Sequence, residues 1–252
     1  MSNLLYTIYG CFNGLYKHCY GLYKPLYFFY KHVSDREKIA FIRKTVKPGM
    51  TVLDVGANIG FYTLLFSKLV GKEGHVIAFE PDALNFSHLM ANTRKLANVT
   101  ACQVACGEKS QTLKLYLSDT FNVDHQTFDS GEGRAYVETT SVSIDDYLGN
   151  NESKNRKVDF IKVDVQGYDF YVIKGATKTM ESASSLVMLG EFWPYALHKA
   201  GVRPDEYLSV LEGLGFSVTF PEAVRQESFG SKVDDRYFYT DFIALKGAAG
   251  DG

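Results

Sequence analysis

Hydrophobic and polar positions follow two alternating periods from Asp35 onward. Short apolar runs, the signature of buried strands, fall at Thr51–Val55, His75–Phe79, Val99–Val104, Val158–Val165 and Leu186–Phe192. Phe216–Phe220 and Asp241–Leu245 read as closing strands, and Thr112–Leu117 and Val137–Val142 alternate like half-exposed strands around a polar loop. Between them the apolar residues recur at three- and four-residue steps, which predicts helices over Glu37–Thr45, Phe61–Val70, Asn85–Ala97, Phe170–Met180 and Pro204–Leu214, with a short one at Ile144–Leu148. Strands that alternate with helices fold as a parallel, doubly wound sheet, because each crossover must be right-handed and bury its helix on the sheet.

The first 34 residues follow another pattern. Tyr6, Tyr9, Phe12, Tyr16, Tyr20, Tyr23, Tyr27 and Tyr30 recur at helical steps. Tyr9, Tyr16, Tyr23 and Tyr30 share a seven-residue frame, and Lys17, Lys24 and Lys31 follow the last three. Gly14 and Gly21 weaken this helix and Pro25 is expected to kink or break it. The preferred reading of residues 1–34 is a helical arm packed on its own domain or on a second subunit. The alternative is an interfacial helix with Tyr at headgroup level and Lys toward anionic lipid. Residues 35–246 form the main domain and 247–252 a flexible tail.

Composition narrows the function classes. Hydrophobic residues make up 46% of the 252 and charged residues 22%, the balance of a globular protein with a substantial core. A formal net charge of −2 argues against generic nucleic-acid binding, which needs a basic surface. Cys11, Cys19, Cys102 and Cys106 form no CxxC pair, so they read as thiols of a reducing compartment and the expected location is cytoplasmic. The opening residues lack a basic region and a cleavage site for secretion, and are too short and polar to span a bilayer.

Ligands of an open α/β sheet bind beyond the carboxyl ends of its strands. The first strand runs into Asp54-Val55-Gly56-Ala57-Asn58-Ile59-Gly60. Gly56 permits a tight turn, Gly60 lets the next helix approach the sheet, and that helix N-terminus favours an anionic group. The second strand ends at Glu80, placed to accept hydrogen bonds from both hydroxyls of a ribose. Asn58 stands where the dinucleotide fingerprint requires glycine, and Asp54 would repel a pyrophosphate but attract an ammonium. A ribose with an amino-acid tail satisfies both, and S-adenosylmethionine is such a ligand. Further cofactor contacts are expected from Pro81 after Glu80, from Asn58, Tyr62 and Thr63 at the methionine carboxylate, and from Gln103, Val104 and Ala105 beside the adenine.

The blocks Asp54-Val-Gly-Ala-Asn-Ile-Gly-Phe-Tyr-Thr63, Glu80-Pro81, Asp159-Phe-Ile-Lys-Val-Asp-Val-Gln-Gly167 and Ile173-Lys-Gly-Ala176 resemble those of the FkbM-type S-adenosylmethionine-dependent methyltransferases. The resemblance spans about Lys47 to Phe220 and leaves residues 1–34 outside. It implies a class I methyltransferase fold, a Rossmann-like seven-stranded sheet with its last strand antiparallel, and methyl transfer to a hydroxyl oxygen of a sugar, glycolipid or related natural product. Gln166 departs from the Glu more common in the family, and its place at a helix start points to a structural role.

Methyl transfer to oxygen requires alignment of the nucleophile and removal of its proton. Three groups are candidates for the proton: Asp164 and Glu191 at strand ends, and His125 in the loop Asn122-Val-Asp-His-Gln126. Lys162, on the strand face of Asp164, either tunes or pairs with it, and Glu191 has the alternative of a structural ion pair with Lys162. Trp193, Tyr195 and His198 follow the fifth strand and are expected to line the acceptor pocket, Trp193 by stacking on a sugar ring. Asp164, Glu191 and His125 also offer ligand types for a divalent cation, a less favoured option because no spacing demands it. A non-catalytic nucleoside-binding assembly protein and an NAD-dependent oxidoreductase are the alternative functions, the latter disfavoured by Asn58. A homodimer and peripheral membrane contact are the partners the arm allows.

Overall fold

The computed structural model describes residues 14–118, 125–129, 131, 133–150, 156–221, 224 and 226–247. Tyr6, Tyr9, Cys11, Phe12, Asn122, Asp124 and the tail beyond Gly247 lie outside them.

Seven strands form the central sheet: β1 (Thr51–Val55), β2 (His75–Phe79), β3 (Val99–Cys102), β7 (Phe160–Val163), β8 (Leu186–Phe192), β9 (Ser217–Thr219) and β10 (Thr240–Lys246). Their order is β3-β2-β1-β7-β8-β10-β9, with β10 antiparallel to both neighbours. The order reverses at β1, where β2 pairs on one side and β7 on the other, so a crevice opens above the ends of β1 and β7. This is the doubly wound arrangement that the alternating periods predict. A small second sheet holds β4 (Ala105–Cys106), β5 (Gln111–Tyr116) and β6 (Tyr136–Val142) in the order β4-β6-β5. The expected third strand through Val104 thus splits. Its end, Ala105–Cys106, leaves the main sheet to pair with β6.

Helices cover both faces. On one side α1 (Tyr20–Ser34), α2 (Arg36–Thr45) and α3 (Phe61–Val70) pack through Phe28, Ile39, Ile42, Phe61 and Phe66 onto Val52, Val76, Phe160 and Leu189. On the other, Leu53, Val55, Ile77, Ile161 and Val163 meet α5 (Ile144–Asn150), α6 (Asp169–Lys174), α7 (Thr177–Ser182), α8 (Pro194–Lys199) and α9 (Pro204–Gly213). α4 (Ala83–Thr93) packs Leu89 against Ala57 and Ala78. The single helix expected over Phe170–Met180 is two, parted at Gly175 and Ala176. A Cβ on Gly175 would lie 1.9 Å from the Gly107 carbonyl oxygen, so the chain closes on β4 there and the helix stops.

The arm is built into the domain. Residues 14–18 are helical, Cys19 breaks the run, and α1 then continues through Pro25 instead of ending there. Side-chain anchors on both sides of Pro25 hold the helix: Tyr16 and Tyr23 are buried against Ile59, and Tyr27 and Phe28 pack beside them. Tyr16 donates to Asn85 Oδ1 at 2.6 Å, Lys24 donates to Asn92 Oδ1 at 2.7 Å, and the Tyr20 ring stacks on His88 at 3.5 Å. Tyr16, Tyr20, Tyr23 and Tyr27 are therefore the side of the arm that packs on α4 and on the turn before α3.

Candidate functional site

A cavity of about 570 Å³ opens above the ends of β1, β2, β7 and β8, within the size range of pockets for small ligands. The loop after β1 forms its floor. Gly56 has φ +79, and a Cβ there would lie 2.0 Å from the Asp164 carbonyl oxygen, so no other residue allows β1 and β7 to close at this point. Gly60 (φ +89) precedes α3, where a Cβ would meet Leu89 Cδ1 at 2.8 Å. Asn58 adopts φ 51, and its N–H donates to Glu80 Oε2 at 2.8 Å. Glu80 Oε1 accepts from the Asp82 N–H at 3.0 Å, so two backbone donors fix the carboxylate at the cavity wall. Burial pushes Glu80 up to about 7 against the pull of those N–H groups.

Behind this wall lies a buried ion-pair chain. The register that sets Asp54 beside Lys162 aims both at the α1–α3 face of the sheet. Lys162 Nζ lies 3.7 Å from Asp54 Oδ1 and 3.3 Å from Asp164 Oδ2, and donates to the Gly56 carbonyl at 3.4 Å. Burial works against the Lys162 charge, but Asp164 and Asp54 outweigh it and its pKa is raised. Asp164 is the reverse case. Burial alone would raise it, whereas Lys162, Lys38 and Lys31 together bring it down to about 2. Glu191 is pushed well above the usual carboxylate range by burial, reinforced by Asp164 and Asp169. One side chain touches both acids: Gln166 Nε2 donates to Asp164 Oδ1 at 3.1 Å and lies 3.4 Å from Glu191 Oε2.

The structure gathers most of the expected residues around one space. Gly56, Asn58, Tyr62, Glu80, Pro81, Val104, Ala105, His125, Lys162, Asp164, Glu191 and Trp193 line the cavity. Five others do not. Asp54 is fully buried under the floor, where Thr63 Oγ1 donates to it at 2.6 Å, so these two serve each other and not the ligand tail. Gly60 shapes the turn without reaching the wall. Gln103 is exposed because the chain swings from β3 to β4 there. His198 is exposed on α8, whose inward positions are Pro194, Ala196 and Leu197.

Tyr62, His125 and Gln166 carry altered roles. The Tyr62 hydroxyl donates to Asp35, which makes it a strut instead of a carboxylate ligand. His125 Nδ1 accepts from the Ser118 N–H at 3.0 Å, so the neutral ring carries its proton on Nε2 and presents a donor there instead of a base. Glu191 takes its contact from Gln166, while Lys162 is occupied by Asp54 and Asp164. Gln166, expected to be structural, lines the cavity with φ 54 and bridges the two acids.

Sequence reasoning missed a whole wall. Tyr27, Tyr30, Lys31, Asp35 and Lys38 come from α1, α2 and the residue between them. Lys31 pairs with Asp35, and Lys38 pairs with Asp241 at 2.8 Å. Arg236, Tyr237 and Tyr239 also line the cavity, Tyr239 near Tyr30 and Lys38, and Trp193 Nε1 donates to the Arg236 carbonyl at 3.2 Å. Among the described residues, no group of three or more His, Cys, Asp or Glu side chains is arranged to hold a metal ion.

The Methyltransferase FkbM domain matches residues 54–218, from the floor of this cavity to the edge strand β9. The chain belongs to the FkbM methyltransferase family. Its relatives include the hexuronic acid methyltransferase AglP of Haloferax volcanii, 25% identical over 197 residues that cover 77% of this chain and 75% of AglP. The methyltransferase sdnD of Sordaria araneosa is 26% identical over 199 residues, 67% of this chain and 74% of that protein. Two solved structures share the fold. The FkbM methyltransferase of Methylobacillus flagellatus aligns with a TM-score of 0.50 at 14% identity over 78% of this chain, which spans only 43% of that longer protein. A Streptococcus mutans protein in complex with SAH aligns with a TM-score of 0.50 at 10% identity, covering 84% and 96% of the two chains. The family match begins at Asp54, so the wall contributed by α1 and α2 lies outside the shared domain.

Proposed function

We propose that this chain transfers a methyl group from S-adenosylmethionine to a hydroxyl of a sugar-like acceptor. The observation that carries the reading is the placement of Glu80 on one wall of the cavity and the Asp164–Gln166–Glu191 cluster on another. The residues fit the donor. Glu80, held by two N–H groups and the Asn85 side chain, lines the cavity where a ribose hydroxyl can reach it, Val104 and Ala105 line the side for the base, and the α3 N-terminus favours a carboxylate. When bound, S-adenosylmethionine supplies an electrophilic methyl carbon at its sulfonium.

This chain's own groups then position the acceptor and take its proton. Asp164, brought down to about 2 by Lys162, Lys38 and Lys31, is a weak base and serves as an ionised hydrogen-bond acceptor. Glu191, whose carboxyl burial raises, holds a proton more strongly than Asp164 and is the proton acceptor of the pair. His125 lines the cavity, and Trp193 offers a ring face to a sugar. The new bond joins the methyl carbon to the hydroxyl oxygen, the carbon–sulfur bond breaks with its electron pair on sulfur, and the hydroxyl proton passes to Glu191. The name of the relative AglP supports uronic acids as the first acceptors to try.

Incubation with methyl-labelled S-adenosylmethionine and a panel of uronic acids, neutral glycosides and glycolipids tests this. The expected product carries label that resists mild alkali, as an ether does. Label released by alkali would mark a carboxyl ester and overturn transfer to a hydroxyl. No label on any acceptor, despite tight binding of S-adenosylhomocysteine, would favour a binding protein.

A further inference from the structure

α1 has a second face that the domain leaves bare. Leu22, Leu26, Phe29, Tyr30 and Val33 are 62%, 47%, 72%, 60% and 60% exposed. Their spacing of four, three, one and three residues puts them on one side of the helix, next to the buried tyrosine stripe. A monomer rarely leaves such a run of large apolar side chains in water. The run does not stop at the helix: Tyr30 also lines the cavity, as do Tyr237 and Tyr239, which are 70% and 62% exposed. The bare face and the mouth of the site are thus one continuous surface.

Charge decides what covers it. Residues 1–34 contain three lysines and no acid; Lys24 and Lys31 are taken up by Asn92 and Asp35, which leaves Lys17 as the exposed lysine of the arm. Lys17, His18, His32 and Arg36 are exposed around the apolar run, with Glu37 the one exposed acid beside it among the described residues of α1 and the first turn of α2. Two copies meeting through this face would bring like charges together, whereas an anionic bilayer attracts them, and tyrosines settle at headgroup depth. No described helix is long and apolar enough to cross a membrane, so the contact would be one of a helix lying in the interface.

We infer that α1 docks the protein on an anionic membrane surface with the cavity mouth facing the headgroups, and that the acceptor is the polar head of a membrane-anchored amphiphile. The second half of this inference rests on the methyl-transfer reading above; the docking half does not.

Flotation with vesicles of phosphatidylcholine containing roughly 30% phosphatidylglycerol tests it on the full chain. The wild type is expected to float, and the double variant Leu26→Glu/Phe29→Glu to bind about tenfold or more weakly, because two buried apolar side chains become charged. Neither residue lines the cavity, so calorimetric affinity for S-adenosylhomocysteine should be unchanged in the variant, which also shows that it folds. A wild type that binds S-adenosylhomocysteine but does not float overturns docking and leaves methyl transfer standing. A wild type that floats but binds no S-adenosylhomocysteine leaves docking standing and removes methyl transfer. A wild-type dimer that the double variant splits would mean that a second copy covers the face, and would overturn the inference.

Discussion

Lys162 is the group on which the charge state of the site depends, and replacing it by Met gives a worked test. Its ammonium is almost fully buried, 3.3 Å from Asp164 and 3.7 Å from Asp54. At an effective dielectric of about 20, pairs at these separations are worth roughly 4–5 kcal/mol each before desolvation. Removing the lysine also removes its own burial cost, so the net loss expected is about 3–5 kcal/mol, the range for a buried charge left without its partner. For a chain of this size that is a fall in melting temperature of about 6–20 °C. The pH dependence supplies a sharper check. Asp164, depressed to about 2 in the wild type, contributes stability that is present above the unfolded pKa and lost as pH falls through about 2. Without Lys162, Asp54, which burial already raises in the wild type, rises further and Asp164 loses the largest of the charges that depress it, so stability is lost as pH climbs above about 4. Urea denaturation of wild type and Lys162→Met at about pH 5 and pH 8 should show the larger deficit at the higher pH. A deficit below about 1 kcal/mol at pH 8, or the same deficit at both, would refute the reasoning.

Three further outcomes follow from the same geometry. Glu80, pushed up to about 7, must be ionised to accept two ribose hydroxyls, so the dissociation constant for S-adenosylhomocysteine should rise about tenfold per unit as pH falls below 7 and be flat above about 8; a pH-independent titration would contradict this. Glu191→Gln keeps the shape of the site and removes the proton acceptor, so kcat should drop by about 10²–10⁴ with donor affinity unchanged, and near-normal turnover would take Glu191 out of the reaction. Deleting residues 1–33 strips Tyr27, Tyr30 and Lys31 from the cavity and uncovers Ile59, so the truncated chain should melt lower and bind S-adenosylhomocysteine more weakly; unchanged affinity would show the wall to be dispensable.

What could be read from the sequence was whatever depends on local pattern. Thr51–Val55 and Leu186–Phe192 are apolar apart from Thr51, Asp54 and Glu191 because the sheet is covered on both faces, and their boundaries hold. Glu80 and Asp164 were visible because they end strands, and a strand end in this fold is a place. The shortfalls come from contacts between distant segments. Asp54 and Thr63 look like ligand groups until the register shows them satisfying each other beneath the floor. Lys38 and Asp35 gave no signal, since nothing local says that α2 packs beside β10 and closes the crevice. Gln166 stands out in the sequence as a departure from its family at a helix start; its left-handed backbone, which sets its amide between two acids, is a property of the turn after β7 and of no short motif.

The central claim is that Glu80 clasps the ribose of an adenosyl donor in this cavity. Calorimetric titration of S-adenosylhomocysteine into wild type and Glu80→Ala at about pH 8 measures it most directly. Saturable binding to the wild type, weakened roughly a hundredfold or more by loss of two hydrogen bonds to a carboxylate, is the predicted result. No binding to the wild type, or equal affinity in the variant, would contradict it.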